Sequence, residues 1–268
     1  DQLRKKGSGL ILLNGKPEEE LPKLAKMYGA SKVFAKREVC FEEKQLDAEV
    51  EKALWKVQCV FETYSTSTMY NASDLPFSIK NIPDVFTNFR KRVEHETTVR
   101  PISLTPETIH SPTIKPVAFP TIESLGFKSI PTDKRTAFPF KGGESQALSR
   151  LDHYLFESHH IKNYKETRNE LIGQAYSSKF SAWLANGSLS PKMVYHQVKH
   201  YEQLFGGNES TYWLIFELLW RDFFRFAFKK YRAQLFHYQG IATQRIPIRT
   251  NDSEKINQWI NGKTGDAF

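Results

Sequence analysis

Apolar positions in the first 65 residues alternate between short continuous runs and three- or four-residue spacing. The run Gly9-Leu10-Ile11-Leu12-Leu13, closed by Asn14-Gly15, predicts a buried strand ending in a turn. Leu21, Leu24, Ala25 and Met27 then predict a helix over Glu18 to Met27 that stops at Gly29, and Lys32-Val33-Phe34-Ala35 reads as a second strand. The cycle repeats: Leu46, Val50 and Leu54 mark an amphipathic helix over Phe41 to Trp55, followed by a strand over Val57-Gln58-Cys59-Val60-Phe61. Strand, helix, strand, helix, strand implies parallel pairing with right-handed crossovers.

The pattern changes at Leu75. Nine of the 13 prolines lie between there and Pro139, a density that forbids long helices and central strands. A short helix around Val85 to Val93 and then an extended connector are expected. From Gly143 onward helical spacing returns with Ala147, Leu148, Leu151, Tyr154, Leu155 and Phe156. The clearest helix is Trp213 to Tyr231, nineteen residues without Gly or Pro.

At 268 residues the chain is long enough for one large domain or two ordinary ones. Its longest aliphatic run is far short of the ~20 residues of a membrane span, so no membrane partner is expected. A net charge of +8 favours a polyanionic partner. Between His160 and Leu235 there are 11 Lys+Arg against 6 Asp+Glu, so over half of the excess charge sits in that segment. Two cysteines, Cys40 and Cys59, fit a reducing compartment or simple burial, and no disulfide is predicted. The first residues show no secretory pattern, and an intracellular placement is expected with the compartment open.

Tyr176-Ser177-Ser178-Lys179-Phe180-Ser181 precedes an amphipathic stretch, and three hydroxyls with a cation at a helix start suit a phosphate. The plainer alternative is a Ser N-cap. On the long helix, Glu217, Arg221, Arg225 and Lys229 fall at four-residue steps; this is either a solvated stripe of ion pairs or the wall of a basic groove whose aromatic neighbours stack bases. No His-Glu-x-x-His, P-loop, Gly-x-Ser-x-Gly or Cys/His dyad is present, so neither a catalytic metal nor a hydrolytic nucleophile is expected.

Several segments together carry a family resemblance: Gly142-Gly143-Glu144, Asn163-Tyr164-Lys165-Glu166-Thr167-Arg168-Asn169, Tyr176 to Ser181, Leu189-Ser190-Pro191, and Glu217-Leu218-Leu219-Trp220-Arg221-Asp222-Phe223-Phe224. In order and spacing they resemble the DNA photolyase/cryptochrome family, most closely its DASH branch. The resemblance implies an α/β plus all-α fold: a partial, parallel-sheet, Rossmann-like photolyase domain over 1–84, an interdomain linker over 85–139, and a truncated helical FAD-binding domain over 140–268. In that family, reduced FAD excited by blue light passes an electron to a cyclobutane pyrimidine dimer, which splits and returns it. The DASH branch prefers dimers in single-stranded DNA, and such proteins are expected to be monomers.

By position, the resemblance assigns FAD contacts to Tyr164, Ser177, Ser178, Lys179, Phe180, Ser181, Glu217 and Arg221. It assigns the lesion-facing acid and aromatic to Glu217 and Trp220, and a DNA-facing stretch to Glu217, Leu218, Leu219, Trp220, Arg221, Asp222, Phe223, Phe224 and Arg225. Trp220 would stack on a flipped-out dimer while Glu217 hydrogen-bonds its base edges. Glu38, in Arg37-Glu38-Val39, is the candidate contact for a methenyltetrahydrofolate antenna; a solvated Glu at a strand end is the alternative. The chain starts at what resembles the third strand of the α/β domain and stops inside the helical domain, so a partial sheet and a partial flavin pocket are expected. A non-repairing photoreceptor or nucleic-acid binder of the same fold, and a helical product with no ligand, remain the competing readings.

Overall fold

The computed structural model describes residues 2–115, 118–242 and 252–266. Two units separate, residues 1–232 and residues 233–268. In the smaller one, helix α10 (Ser253–Ile260) is opened by the Asp252 side chain, which accepts from the Lys255 N–H. The expected end of the helical domain at residue 268 lies outside the described residues.

The larger unit begins with a single turn, α1 (Gln2–Lys5), then α2 (Pro17–Tyr28), β1 (Lys32–Lys36), α3 (Phe41–Trp55) and β2 (Val60–Tyr64). β1 and β2 pair in parallel, Lys32 opposite Val60 and Lys36 opposite Tyr64, with α3 as the crossover. Both helices end in the same way. In α2 the Ala30 N–H reaches the Ala25 carbonyl and the Gly29 N–H reaches Lys26, with Gly29 left-handed at φ 60°. In α3 the Cys59 N–H reaches Leu54 and the Gln58 N–H reaches Trp55, with Gln58 left-handed at φ 58°. This second cap consumes Val57 to Cys59, so the strand expected at Val57 starts at Val60 instead. Ala25, Val50, Leu54 and Cys59 form a small core between the helices and the sheet.

The strand expected over Gly9 to Leu13 does not form. Among the described residues the sheet has two strands, and the run has no ladder to join. It lies instead against the connector: the Ile109 N–H donates to the Lys6 carbonyl at 2.6 Å, and a Cβ on Gly9 would come within 2.9 Å of the Ile114 side chain. Leu10, Leu12 and Leu13 are exposed there.

Past the sheet, α4 (Phe86–Glu96) leads into a connector over 97–143 with no regular helix or strand among its described residues. Helices α5 (Glu144–Asp152), α6 (Tyr164–Thr167), α7 (Ser181–Asn186), α8 (Pro191–Phe205) and α9 (Glu209–Tyr231) follow. Pro191 is the first residue of α8, where its missing N–H costs nothing. α9 begins four residues before the apolar pattern because Asn208 and Thr211 form a reciprocal capping box. The main core runs along α9 through Leu214, Leu218, Leu219, Phe223 and Phe226. It closes against Phe86, Phe89 and Val93 of α4, Leu151 of α5, Val194, Val198 and Tyr201 of α8, and against Met69, Tyr70, Leu75 and Ile82 upstream.

Candidate functional site

One side of α9 presents Leu214, Glu217, Leu218 and Arg221, the spacing that places residues on a shared helical face. With Tyr164, Ser178, Phe180, Ser181, Leu184 and Ala185 they line a cavity of about 240 Å³. The cavity thus brings together Tyr164, Ser178, Phe180, Ser181, Glu217 and Arg221 from segments up to 57 residues apart. Sequence reasoning missed Leu184, Ala185 and Leu214; Leu214 was findable from its place one turn before Glu217 and Leu218.

The polar groups around this cavity are held firmly. Arg221 donates from Nη2 to the Leu184 carbonyl at 2.9 Å and from Nη1 to the Ser67 carbonyl, and burial, reinforced by nearby Arg225, lowers its pKa. Glu217 pairs through Oε1 with Arg168 Nη1 at 2.9 Å. Burial first, then the Glu217 charge, pushes the Tyr164 hydroxyl up to about 12, so it stays a neutral hydrogen-bonding group at neutral pH. Arg168 belongs to the Tyr164 to Asn169 segment but had no individual role in the sequence reading; its contact with Glu217 spans 49 residues and left no local signal.

The Ser cluster does not act as an ordinary cap. Phe180 occupies the N-cap position of α7, and no side chain makes a capping bond there. Ser178, Phe180 and Ser181 line the cavity, whereas Ser177 and Lys179, expected beside them, do not. Lys179 is left-handed at φ 62° and its ammonium sits 3.5 Å from the centroid of the Tyr176 ring, a cation–π contact that turns its charge away. The Ser177 carbonyl accepts from Arg150.

The nine-residue stretch expected to face DNA divides by helical geometry. Leu218, Leu219, Asp222 and Phe223 are buried and have no surface to offer a nucleic acid; Phe224 is exposed, and Glu217, Trp220, Arg221 and Arg225 are half-buried. Asp222 is fully buried and accepts from the Met69 and Tyr70 N–H groups at 3.1 and 3.0 Å. Burial raises its pKa to about 7 against the lowering effect of those two donors. Together with Arg221 on Ser67, it fastens residues 67–70 to α9. Trp220 is absent from the Glu217 cavity. Phe86 stacks on its ring with centroids 3.5 Å apart and planes 15° apart, and Phe224 stacks at 5.6 Å.

Glu38 is half-buried and ion-paired. It pairs with Lys36 Nζ and Arg225 Nη2, each at 2.6 Å, so both of its oxygens are engaged at the end of β1. Burial alone would raise its pKa, but these two hydrogen bonds hold it below the usual carboxylate range.

The family model for DNA photolyase matches residues 1–110. Cryptochrome DASH of Danio rerio is 43% identical over 99% of this chain and 52% of its own length. The crystal structure of a Synechocystis cryptochrome superposes with a TM-score of 0.90 at 41% identity, covering 98% of this chain and 55% of that one. This chain belongs to the DNA photolyase/cryptochrome family, in its DASH branch. A class III photolyase from Agrobacterium tumefaciens shares the fold, with a TM-score of 0.74 at 20% identity over 97% of this chain and 53% of that one. The α/β plus helical architecture is therefore the family's. The chain spans about half the length of the curated relatives it matches. No described helix is long and apolar enough to cross a membrane.

Proposed function

We propose that this chain supplies one wall of the FAD site of a cryptochrome DASH protein that, as a whole protein, splits cyclobutane pyrimidine dimers in single-stranded DNA under blue light. The observation that carries the reading is the single cavity on which Tyr164, Ser178, Phe180, Ser181, Glu217 and Arg221 converge. The residues fit part of the cofactor: apolar rings, hydroxyls not used for capping, and one guanidinium form a mixed lining suited to a nucleotide. The volume is below the roughly 300–1,000 Å³ of pockets that enclose a whole drug-sized ligand.

FAD, when bound, supplies light absorption and a transferable electron. The chain's own residues bind and orient: Tyr164 and Phe180 wall the site, Ser178 and Ser181 offer hydroxyls, and Arg221, fixed by two carbonyls, points a cation at it. Glu217, steadied by Arg168, offers a carboxylate to the edges of an extruded base. Phosphate contacts then come from the excess of Lys and Arg in the 160–235 segment, and DNA affinity falls with salt. A folate antenna at Glu38 would have to compete with Lys36 or Arg225 for its oxygens.

A second reading is favoured by one contact. Because Phe86 lies flat on Trp220, a base can stack on that indole face only after Phe86 moves, an arrangement suited to a photoreceptor that does not repair.

The purified chain is tested by its visible absorption and by identifying any cofactor released from it. Uptake of added FAD without stoichiometric retention through purification is expected of one wall of the site; a folded chain that takes up no added FAD overturns the reading. In the full-length protein, Glu217→Ala is expected to reduce light-dependent dimer repair while FAD stays bound. Unchanged repair would refute the role given to Glu217, and no repair by the unaltered protein would favour the photoreceptor.

A further inference from the structure

Among the described residues Arg150 is the one buried arginine, and it lies against the backbone of the Ser loop. It lies on α5 at 7% exposure, and no carboxylate pairs with it among the described residues. Its nitrogens are directed at loop backbone: Nε donates to the Ser178 carbonyl at 3.1 Å, and Nη2 donates to the Gln174 and Ser177 carbonyls at 2.8 and 3.1 Å. Phe138 and Tyr154 flank it, with ring centroids 4.9 and 5.2 Å from the guanidinium carbon. Desolvation lowers its pKa.

The planar peptide turns this clamp into an orientation of donors. In a trans peptide the N–H points opposite to the preceding carbonyl. Drawing the carbonyls of 174, 177 and 178 down onto Arg150 therefore aims the N–H groups of Ala175, Ser178 and Lys179 away from it. Among the described residues none of these three N–H groups has a hydrogen-bond partner. Lys179 is left-handed and Phe180 right-handed, a succession that gathers consecutive N–H groups into an anion-binding concavity. The clamp thus leaves donors free on the opposite side of the loop and places an uncompensated positive charge behind them.

We propose that Arg150 is a positioning residue: by holding three carbonyls of the 174–178 loop it sets the loop as a diphosphate cradle, and the bound diphosphate serves as its missing counter-charge. This deepens, and rests on, the reading of the Ser177 to Ser181 segment as the phosphate end of a flavin dinucleotide site. It also explains how that segment could hold an anion although Lys179 faces Tyr176.

The test compares the unaltered chain with Arg150→Met and Arg150→Lys, reading FAD affinity, inorganic pyrophosphate affinity and peptide-resolved amide exchange. Lys keeps the charge but lacks the forked donors that reach three carbonyls. Arg150→Met is expected to weaken both ligands by about tenfold or more, as the loss of charge-assisted positioning implies. Exchange should rise in peptides covering 174–181 and stay unchanged in α8, with Arg150→Lys intermediate. Unchanged affinity with a loosened loop overturns the proposal, and so does exchange that rises equally throughout the chain. Should the unaltered chain bind pyrophosphate but not FAD, the flavin reading fails while the role of Arg150 is still decided by the pyrophosphate and exchange results.

Discussion

The sheet-bearing part and the helical part of the larger unit bury their side chains to different extents. Around β1 and β2 the core is a small cluster of Ala25, Val50, Leu54 and Cys59, while Phe34 on β1 and Val60 and Tyr64 on β2 remain exposed. Around α9 the core is continuous, with Phe89, Tyr154, Tyr201 and Phe226 all fully buried. Parallel sheets are normally covered on both faces, and two strands close little surface by themselves. Helices α4 to α8 share one continuous core with α9. The difference locates the rigid scaffold of the candidate cavity in the helices, and makes the sheet the region expected to open first.

Phe89 tests the stronger half. It is fully buried, with ring contacts to Phe77, Phe223 and Phe226, so Phe89→Ala should cost about 3–5 kcal/mol in denaturant unfolding. Leu54→Ala tests the weaker half. Removing this side chain should cost toward the lower end of the ~2–5 kcal/mol range and raise amide exchange in 32–64 while sparing α9. Equal loosening of both regions by Leu54→Ala would break the comparison.

Asp222 sharpens it, because the helical core carries a buried carboxyl at its centre. In Asp222→Asn the amide can accept from one of the Met69 and Tyr70 N–H groups but not both, a cost of about 1–3 kcal/mol. The pH dependence has a definite sign. The folded carboxyl titrates at about 7 against 3.8 for its ordinary value, so between these limits the folded state holds a proton that the unfolded state has released. Stability from this group therefore falls as pH rises from about 4 to about 7 and levels off above. The Asn variant should lose that slope in a series of denaturation curves; a slope that survives the substitution removes Asp222 as its source.

Much of the helical architecture was readable in advance because periodicity reports burial. The span of α3 follows from Leu46, Val50 and Leu54, and all but the first turn of α9 from the Trp213 to Tyr231 pattern. The stop of α2 was readable because Gly29 takes a left-handed conformation at little cost. The matching stop of α3 was not, because Gln58 takes the same conformation and glutamine is no signal for it. Gly9 to Leu13 was misread because an apolar run becomes a strand only beside a partner. For the site, motif resemblance named FAD contacts of which six line one cavity, while the buried positions of Leu219 and Asp222, the Phe86–Trp220 stack and the Lys179–Tyr176 contact were not encoded in any local pattern.

By itself the sequence determined the helices and the two paired strands, the basic helical half and the residues that carry the family likeness, because these rest on local spacing and composition; the run Gly9 to Leu13 was the exception. Tertiary structure alone decided which side of α9 meets a cavity, which carboxylates are paired, and that a buried arginine takes the carbonyls of the Ser loop. Those outcomes follow from the packing of helices against each other, which turns each side chain toward solvent, cavity or core in a way that no local pattern encodes.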